Sequence, residues 1–271
     1  MRLTLAQITV DPGSVQGNVE RASDAIERAA ADGADLVVLP ELFNVGYFAF
    51  ELYGRRAEAL DGETLTTIRD TAVEEGVAVL AGSIVEDLES SAAAGIPVPT
   101  DDGLANTAVF FDRDGERRAV YRKHHLFGYG SAESDLLEPG QRLPTVEYEG
   151  FTVGISTCYD LRFPKLHRQL VEKGATLTLV PSAWPYPRVE HWKLFPRARA
   201  VENLLYVAAA NGVGTFDQTE LLGRSTIFDP WGTTLASSSD DPALVTADVD
   251  PGRVERVRDE FPALEDVRTD W

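Results

Sequence analysis

Short runs of β-branched and aliphatic residues recur along this chain with helix-length amphipathic stretches between them, and that alternation constrains its fold more than any other feature. Apolar patterning predicts strands near residues 3–10, 35–39, 77–85, 105–111, 116–121, 151–157, 176–180, 205–210, 224–228, 233–237 and 243–249. Helical spacing predicts helices over 19–32 behind an Asn18 cap, over 65–75, over 164–173 and over 189–203. Glycines 33, 76 and 174 close the first three. Turn residues at 112–115 and 229–232 predict hairpins, so parallel and antiparallel pairing must coexist in a layered α/β fold. The Ser-, Ala-, Pro-, Asp- and Gly-rich stretch 86–103 reads as a long surface loop, which makes 1–271 a single domain. After Pro251 comes a tail, helix-like over 252–261, whose terminal Trp271 reads as a docking residue.

Composition excludes several classes of function. The 271 residues are 44% hydrophobic, enough for a large core. No apolar run approaches the roughly 20 residues that a membrane-spanning helix needs. Acidic residues outnumber basic ones 44 to 25, for a formal charge of −19, so nucleic acid is not an expected partner. Lysine occurs only at positions 123, 165, 173 and 193. An acid-rich, lysine-poor surface over an ordinary core predicts a halophilic protein, the plain alternative being an acidic one. The first residues read as a strand closed by a Pro-Gly turn, not as a basic and apolar export signal, so the expected location is cytoplasmic. With one cysteine, Cys158, neither an intrachain disulfide nor a Cys-rich metal site is expected.

Three residues stand where strands run out. Cys158 ends FTVGISTC before a helix beginning near Pro164, an elbow where free amides and a helix field would favour a thiolate. A lone buried cysteine is the bland alternative. Glu41 follows ADLVVLP, where Pro40 stops the strand and sets the carboxylate on the same rim, as a general base or as a solvated loop acid. Lys123 leaves the strand before it as a compact point charge, or as an ordinary surface lysine. Together a thiol, a carboxylate and an ammonium form an acyl-transfer set, in which the carboxylate takes the thiol proton and the ammonium meets the oxyanion.

The blocks PELFNVGY at 40–47, YRKHHLF at 121–127 and STCYDLRFP at 156–164 resemble the nitrilase superfamily of carbon–nitrogen hydrolases. The opening LAQITVDPGSVQGNV, PSAWP at 181–185, RARAVEN at 197–203 and DPWG at 229–232 extend the resemblance over nearly the whole chain. It implies a four-layer αββα sandwich pairing into an eight-layer dimer, or a higher homo-oligomer. It assigns Glu41 as general base, Lys123 as oxyanion stabiliser, Cys158 as nucleophile and the Tyr159 amide as a second oxyanion donor. A second glutamate is implied in FGYGSAESDLLEPG, either Glu133 or Glu138. Glu133 is preferred because a polar stretch closing in Pro139-Gly140 follows it. The implied reaction is hydrolysis of a small amide through a cysteine thioester, with no metal or organic cofactor.

CYDLRFP with PSAWP and RARAVEN resembles the omega-amidase branch. There Arg162 would grip the far carboxylate of a substrate such as alpha-ketoglutaramate, or else brace the elbow against a buried acid. Tyr47, Phe127, Tyr159, Trp184 and Trp192 are candidate pocket walls and His191 a candidate at the pocket mouth. His124, His125 and His167 lack protease or metal-ligand context and read as structural. Two other readings compete: an N-carbamoyl amino-acid hydrolase or nitrilase with the same tetrad, and a non-catalytic metabolite-binding α/β protein.

Overall fold

The computed structural model describes residues 1–129 and 131–268. Its first half runs β1 (Arg2–Gln7), α1 (Val15–Ala31), β2 (Leu36–Val38), α2 (Tyr53–Arg56), α3 (Glu63–Glu75), β3 (Ala78–Asp87), α4 (Leu88–Ala93), β4 (Leu104–Phe111), β5 (Arg117–Arg122) and α5 (Glu133–Leu136). The second half runs β6 (Thr145–Tyr148), β7 (Phe151–Ile155), α6 (Pro164–Glu172), β8 (Leu177–Ser182), α7 (Val189–Asn203), β9 (Tyr206–Asn211), β10 (Val213–Phe216), β11 (Thr219–Leu222), β12 (Thr226–Phe228), β13 (Thr234–Ser237), β14 (Ala243–Asp248) and α8 (Pro251–Glu260).

Among the described residues the strands form two six-stranded sheets, ordered β14-β1-β2-β3-β4-β5 and β13-β12-β9-β8-β7-β6, with β10 and β11 as a separate hairpin. Each sheet has three parallel strands at its heart, β1, β2 and β3 in one and β7, β8 and β9 in the other, flanked by antiparallel neighbours.

Side-chain alternation along these strands builds the layers. Leu3, Leu5, Leu36, Val38 and Leu80 meet Val153, Ile155, Leu177, Leu179 and Ala208 in a core between the two sheets. The intervening Val37, Leu39 and Val79 pack under Ala22 and Ile26 of α1 and Leu65 and Ile68 of α3. On the far side Val180, Val207 and Ala209 pack under α6 and α7 through Leu166, Leu170, Trp192 and Ala200. The result is a four-layer αββα sandwich, and its central parallel strands are apolar on both faces because both faces are covered.

Where the expected elements differ, local chemistry explains the difference. The first helix begins at Val15, and Asn18 is not its cap; its buried amide donates to the carbonyls of Asp11 at 2.8 Å and Asn44 at 2.7 Å, pinning the helix to the segment after β2. The supposed loop 86–103 holds α4, capped by the Asp87 carboxylate accepting from the Ser90 amide at 3.0 Å. The strand expected over 151–157 stops at Ile155, and β6, unexpected from the sequence, pairs with it around Glu149-Gly150, both at positive φ as a tight hairpin requires. The start of the tail is docked: Val254 and Val257 are buried and Arg253 pairs with the buried Asp229. Trp271 lies outside the described residues.

Candidate active site

Strand ends on one rim of the sandwich bring the reactive groups together. Leu39 still donates to Leu80 of β3, after which Pro40 ends the pairing and Leu42 adopts φ 45°. Glu41 thereby turns inward and is fully buried, its amide donating to the Ser182 carbonyl. Lys123 directly follows β5, its amide held by the Asn106 carbonyl of β4 at 2.9 Å. Cys158 follows β7 after Ser156 and Thr157, opens a 3₁₀ turn over Cys158–Arg162, and sits at φ 46°, a left-handed conformation costly for a residue with a side chain. Asp160 enforces that turn. Its buried carboxylate accepts from the Thr157 amide at 2.9 Å, the Tyr121 hydroxyl at 2.5 Å and the His125 amide at 3.0 Å, with His125 Nδ1 at 2.7 Å.

At the floor the Lys123 ammonium donates to Glu41 Oε1 at 2.8 Å and to both Glu133 oxygens at 2.8 and 2.9 Å. Asn106 Nδ2 bridges the same two carboxylates, at 2.9 Å to Glu41 and 3.0 Å to Glu133. Glu133 also accepts from the Tyr47 hydroxyl at 2.9 Å and the Phe127 amide at 2.7 Å, and Glu41 Oε2 from the Ala183 amide at 2.9 Å. The Cys158 thiol lies close enough to Glu41 for each to shift the other's titration. Of the two acids considered in the 133–140 loop, Glu133 enters this cluster and Glu138 is exposed outside it.

The electrostatics follow from this arrangement. Burial pushes the Glu41 carboxyl up from its ordinary value, Lys123 opposing and Glu133 reinforcing. Burial also works against the Lys123 charge, but Glu133 and Glu41 outweigh it and hold the ammonium well above its usual range. The Cys158 thiol is pushed well up, first by burial and then by Glu41, against Lys123 and the Ala183 amide. That reverses the expectation of a stabilised thiolate: α6 starts only at Pro164, and a five-residue 3₁₀ turn supplies too little field to offset burial beside a carboxylate. The resting pair is a neutral thiol against a carboxylate, poised to pass its proton as the sulfur attacks.

Above the floor lies a small cleft of about 380 Å³ including its open mouth. Of the candidate walls, Tyr47, Phe127, Tyr159, Arg162 and Trp184 line it together with Lys123 and Cys158. Trp192 does not; its indole is buried elsewhere, donating to the Arg224 carbonyl at 2.7 Å. Nor does His191, which stands behind Arg162 with Nδ1 at 3.0 Å from the guanidinium. Arg162 pairs with no buried acid among the described residues; its guanidinium lies 5.0 Å from the Phe195 ring and 5.3 Å from the Trp184 ring. His125 stacks on Phe163, His124 on Tyr121, and His167 is wholly buried. Sequence reasoning missed Asn106, Phe48, Ala183, Pro185 and Arg188. Asn106 is recognisable only through its cross-strand position opposite Lys123, and Arg188 only through its place in the turn before α7.

An αββα sandwich whose strand ends gather a buried thiol, two carboxylates and an ammonium defines a hydrolase of the acyl-transfer type. Residues 2–259 match the carbon-nitrogen hydrolase family. The chain is 34% identical over 260 residues to 2-oxoglutaramate amidase of Paenarthrobacter nicotinovorans, covering 94% of this chain and 85% of that protein. It is 33% identical over 279 residues to omega-amidase NIT2 of Homo sapiens, covering 99% and 95%. It also matches, with a TM-score of 0.81 and 29% identity over 98% of this chain and 99% of the other, an amidase from Nesterenkonia sp. AN1 whose structure shows acrylamide joined to the active-site cysteine by Michael addition. The chain belongs to the carbon–nitrogen hydrolase family, and it is an enzyme acting on carbon–nitrogen bonds other than peptide bonds.

Proposed function

We propose that this enzyme is an omega-amidase that hydrolyses the terminal amide of a small dicarboxylic acid monoamide, such as 2-oxoglutaramate, to ammonia and the dicarboxylate. The observation that supports amide hydrolysis is the Lys123 ammonium fixed between Glu41 and Glu133 at 2.8 Å, with Cys158 in the same cleft. The preference for an acidic monoamide rests on Arg162, which lines that cleft without a carboxylate partner among the described residues. All three hydrogen bonds of the ammonium go to the Glu41 and Glu133 carboxylates, two of them to Glu133, so the ammonium meets an oxyanion by giving up or sharing one of the Glu133 bonds.

The reaction then runs on residues of this chain. Cys158 Sγ attacks the amide carbon while Glu41 takes the thiol proton. The tetrahedral oxyanion is met by Lys123 and by the Tyr159 amide, which lies in the first turn of the 3₁₀ segment where amides lack an acceptor within the turn. Glu41 returns the proton to nitrogen as the C–N bond breaks, ammonia leaves, and a Cys158 thioester remains. Water deprotonated by Glu41 adds to the thioester, and collapse expels the sulfur, which recovers the proton from Glu41 and frees the acid. Glu133 orients Lys123, and Arg162 binds the distal carboxylate.

The assembly we propose is a homodimer through α7. Leu194 and Val201 on that helix are 59% and 46% exposed, beside Trp231 at 40% and Phe261 at 51%, an apolar area of the kind that marks an interface. A single catalytic domain with a lone reduced cysteine suits the cytoplasm, and the excess of acids suits concentrated salt.

The test is ammonia release from 2-oxoglutaramate, succinamate, neutral aliphatic amides, a carbamoyl amino acid and a nitrile. Turnover of the two acidic monoamides, absent in Cys158→Ala, is the expected result. Turnover confined to carbamoyl or nitrile substrates overturns the omega-amidase assignment.

A further inference from the structure

Arg188 lines the same cleft as Arg162 but comes from a different element, the turn between Trp184 and α7. Its backbone is fixed at both ends: its amide donates to the Pro185 carbonyl at 3.2 Å, and its carbonyl accepts from Trp184 Nε1 at 3.1 Å and from the Trp192 amide. Its guanidinium lies 5.2 Å from the Phe127 ring centroid. Phe127 is the residue whose amide holds Glu133 at 2.7 Å, so the cation rests on a ring tied to the catalytic floor.

The charge balance of the cleft gives this position its meaning. Floor carboxylates from Glu41 and Glu133 face a single ammonium, so an anionic substrate group is repelled from the bottom of the cleft. The other charged residues lining it are Arg162 and Arg188, and among the described residues neither has a carboxylate partner, although acids outnumber bases 44 to 25. Arg162 already shares one Nη2 with His191. A half-buried guanidinium left without an acid in so acidic a chain is a vacant carboxylate acceptor.

Resting on the omega-amidase reading, we propose that Arg188 is a specificity-determining residue: with Arg162 it forms a two-guanidinium clamp on the distal carboxylate, selecting acidic over neutral amides.

The experiment compares succinamate with butyramide, equal in chain length and differing by one carboxylate, in wild type, Arg188→Gln and Arg188→Lys at fixed ionic strength. In Arg188→Gln, kcat/KM for succinamate is expected to fall at least tenfold, mainly through KM. Butyramide should stay within about twofold, and succinate should weaken as a competitive inhibitor. Arg188→Lys should recover part of the loss. Unchanged succinamate kinetics, or an equal fall on both substrates as expected for damage relayed through Phe127 to Glu133, overturns the clamp and leaves the omega-amidase reading standing. A wild type indifferent to the carboxylate overturns both.

Discussion

Glu41 must be ionised to accept the thiol proton, and burial raises its carboxyl above the ordinary range. Activity is therefore expected to fall as pH drops through that raised value, earlier than a solvated glutamate would allow, which a pH profile of kcat/KM checks. Glu41→Gln should lose on the order of 10²-fold or more in kcat with the fold intact. His167 governs stability instead. Burial, with Arg199 nearby, lowers its folded value to about 3, while the unfolded chain titrates near the ordinary value for histidine. Its neutral form is thus favoured by folding above the unfolded value, and stability drains as pH falls toward about 3, by about 1.4 kcal/mol per pH unit inside that window. His167→Leu should flatten the slope of unfolding free energy against pH there. Glu41 and Cys158 were legible in the sequence because each stands just past an apolar strand, and Lys123 because it follows a strand within the block YRKHHLF, the resemblance of the three blocks singling them out together. Asn106 and Arg188 were not, since the first depends on strand register and the second on where a turn lands.

Two glycines show how whole elements aim those residues. Gly82 interrupts the pairing of β3 with β4, and a Cβ there would meet the Leu39 carbonyl oxygen at 1.9 Å, just before Pro40 and Glu41. The neighbouring Ser83 hydroxyl holds the Leu42 amide at 2.8 Å, so this irregularity grips the Glu41 segment from beneath. Gly82→Ala should destabilise the protein by about 1–3 kcal/mol in denaturant unfolding and lower kcat as well, because the carboxylate must move. Gly140 plays a similar part, approaching the Arg122 carbonyl too closely for any side chain while its amide donates to the Lys123 carbonyl at 2.9 Å. The parallel strands and long helices were legible because both patterns are strong over many residues. The missed elements, α2, α4, α5, β6, β10 and β11, are four to six residues long, too short for periodicity to define them.

At the scale of the molecule, a formal charge of −19 repels itself, and salt screens that repulsion. The melting temperature should rise steadily from dilute buffer to molar KCl; a flat or falling trend would indicate an ordinary acidic protein. Replacing both Leu194 and Val201 by Glu should convert a dimer to a monomer in sedimentation velocity, since it places charge in the apolar face of α7. Layer architecture was legible as alternation and resemblance together, whereas assembly and salt dependence are properties of the surface, where pattern constrains sequence least. Every step of the reaction depends on covalent chemistry at Cys158. Its most direct test is the mass of the intact enzyme, acid-quenched within milliseconds to seconds of mixing with succinamate and paired with ammonia release. An acyl adduct on Cys158 that forms and decays with turnover, and is absent from Cys158→Ala together with all activity, is the predicted result. Ammonia release by Cys158→Ala at a rate comparable to wild type would contradict it.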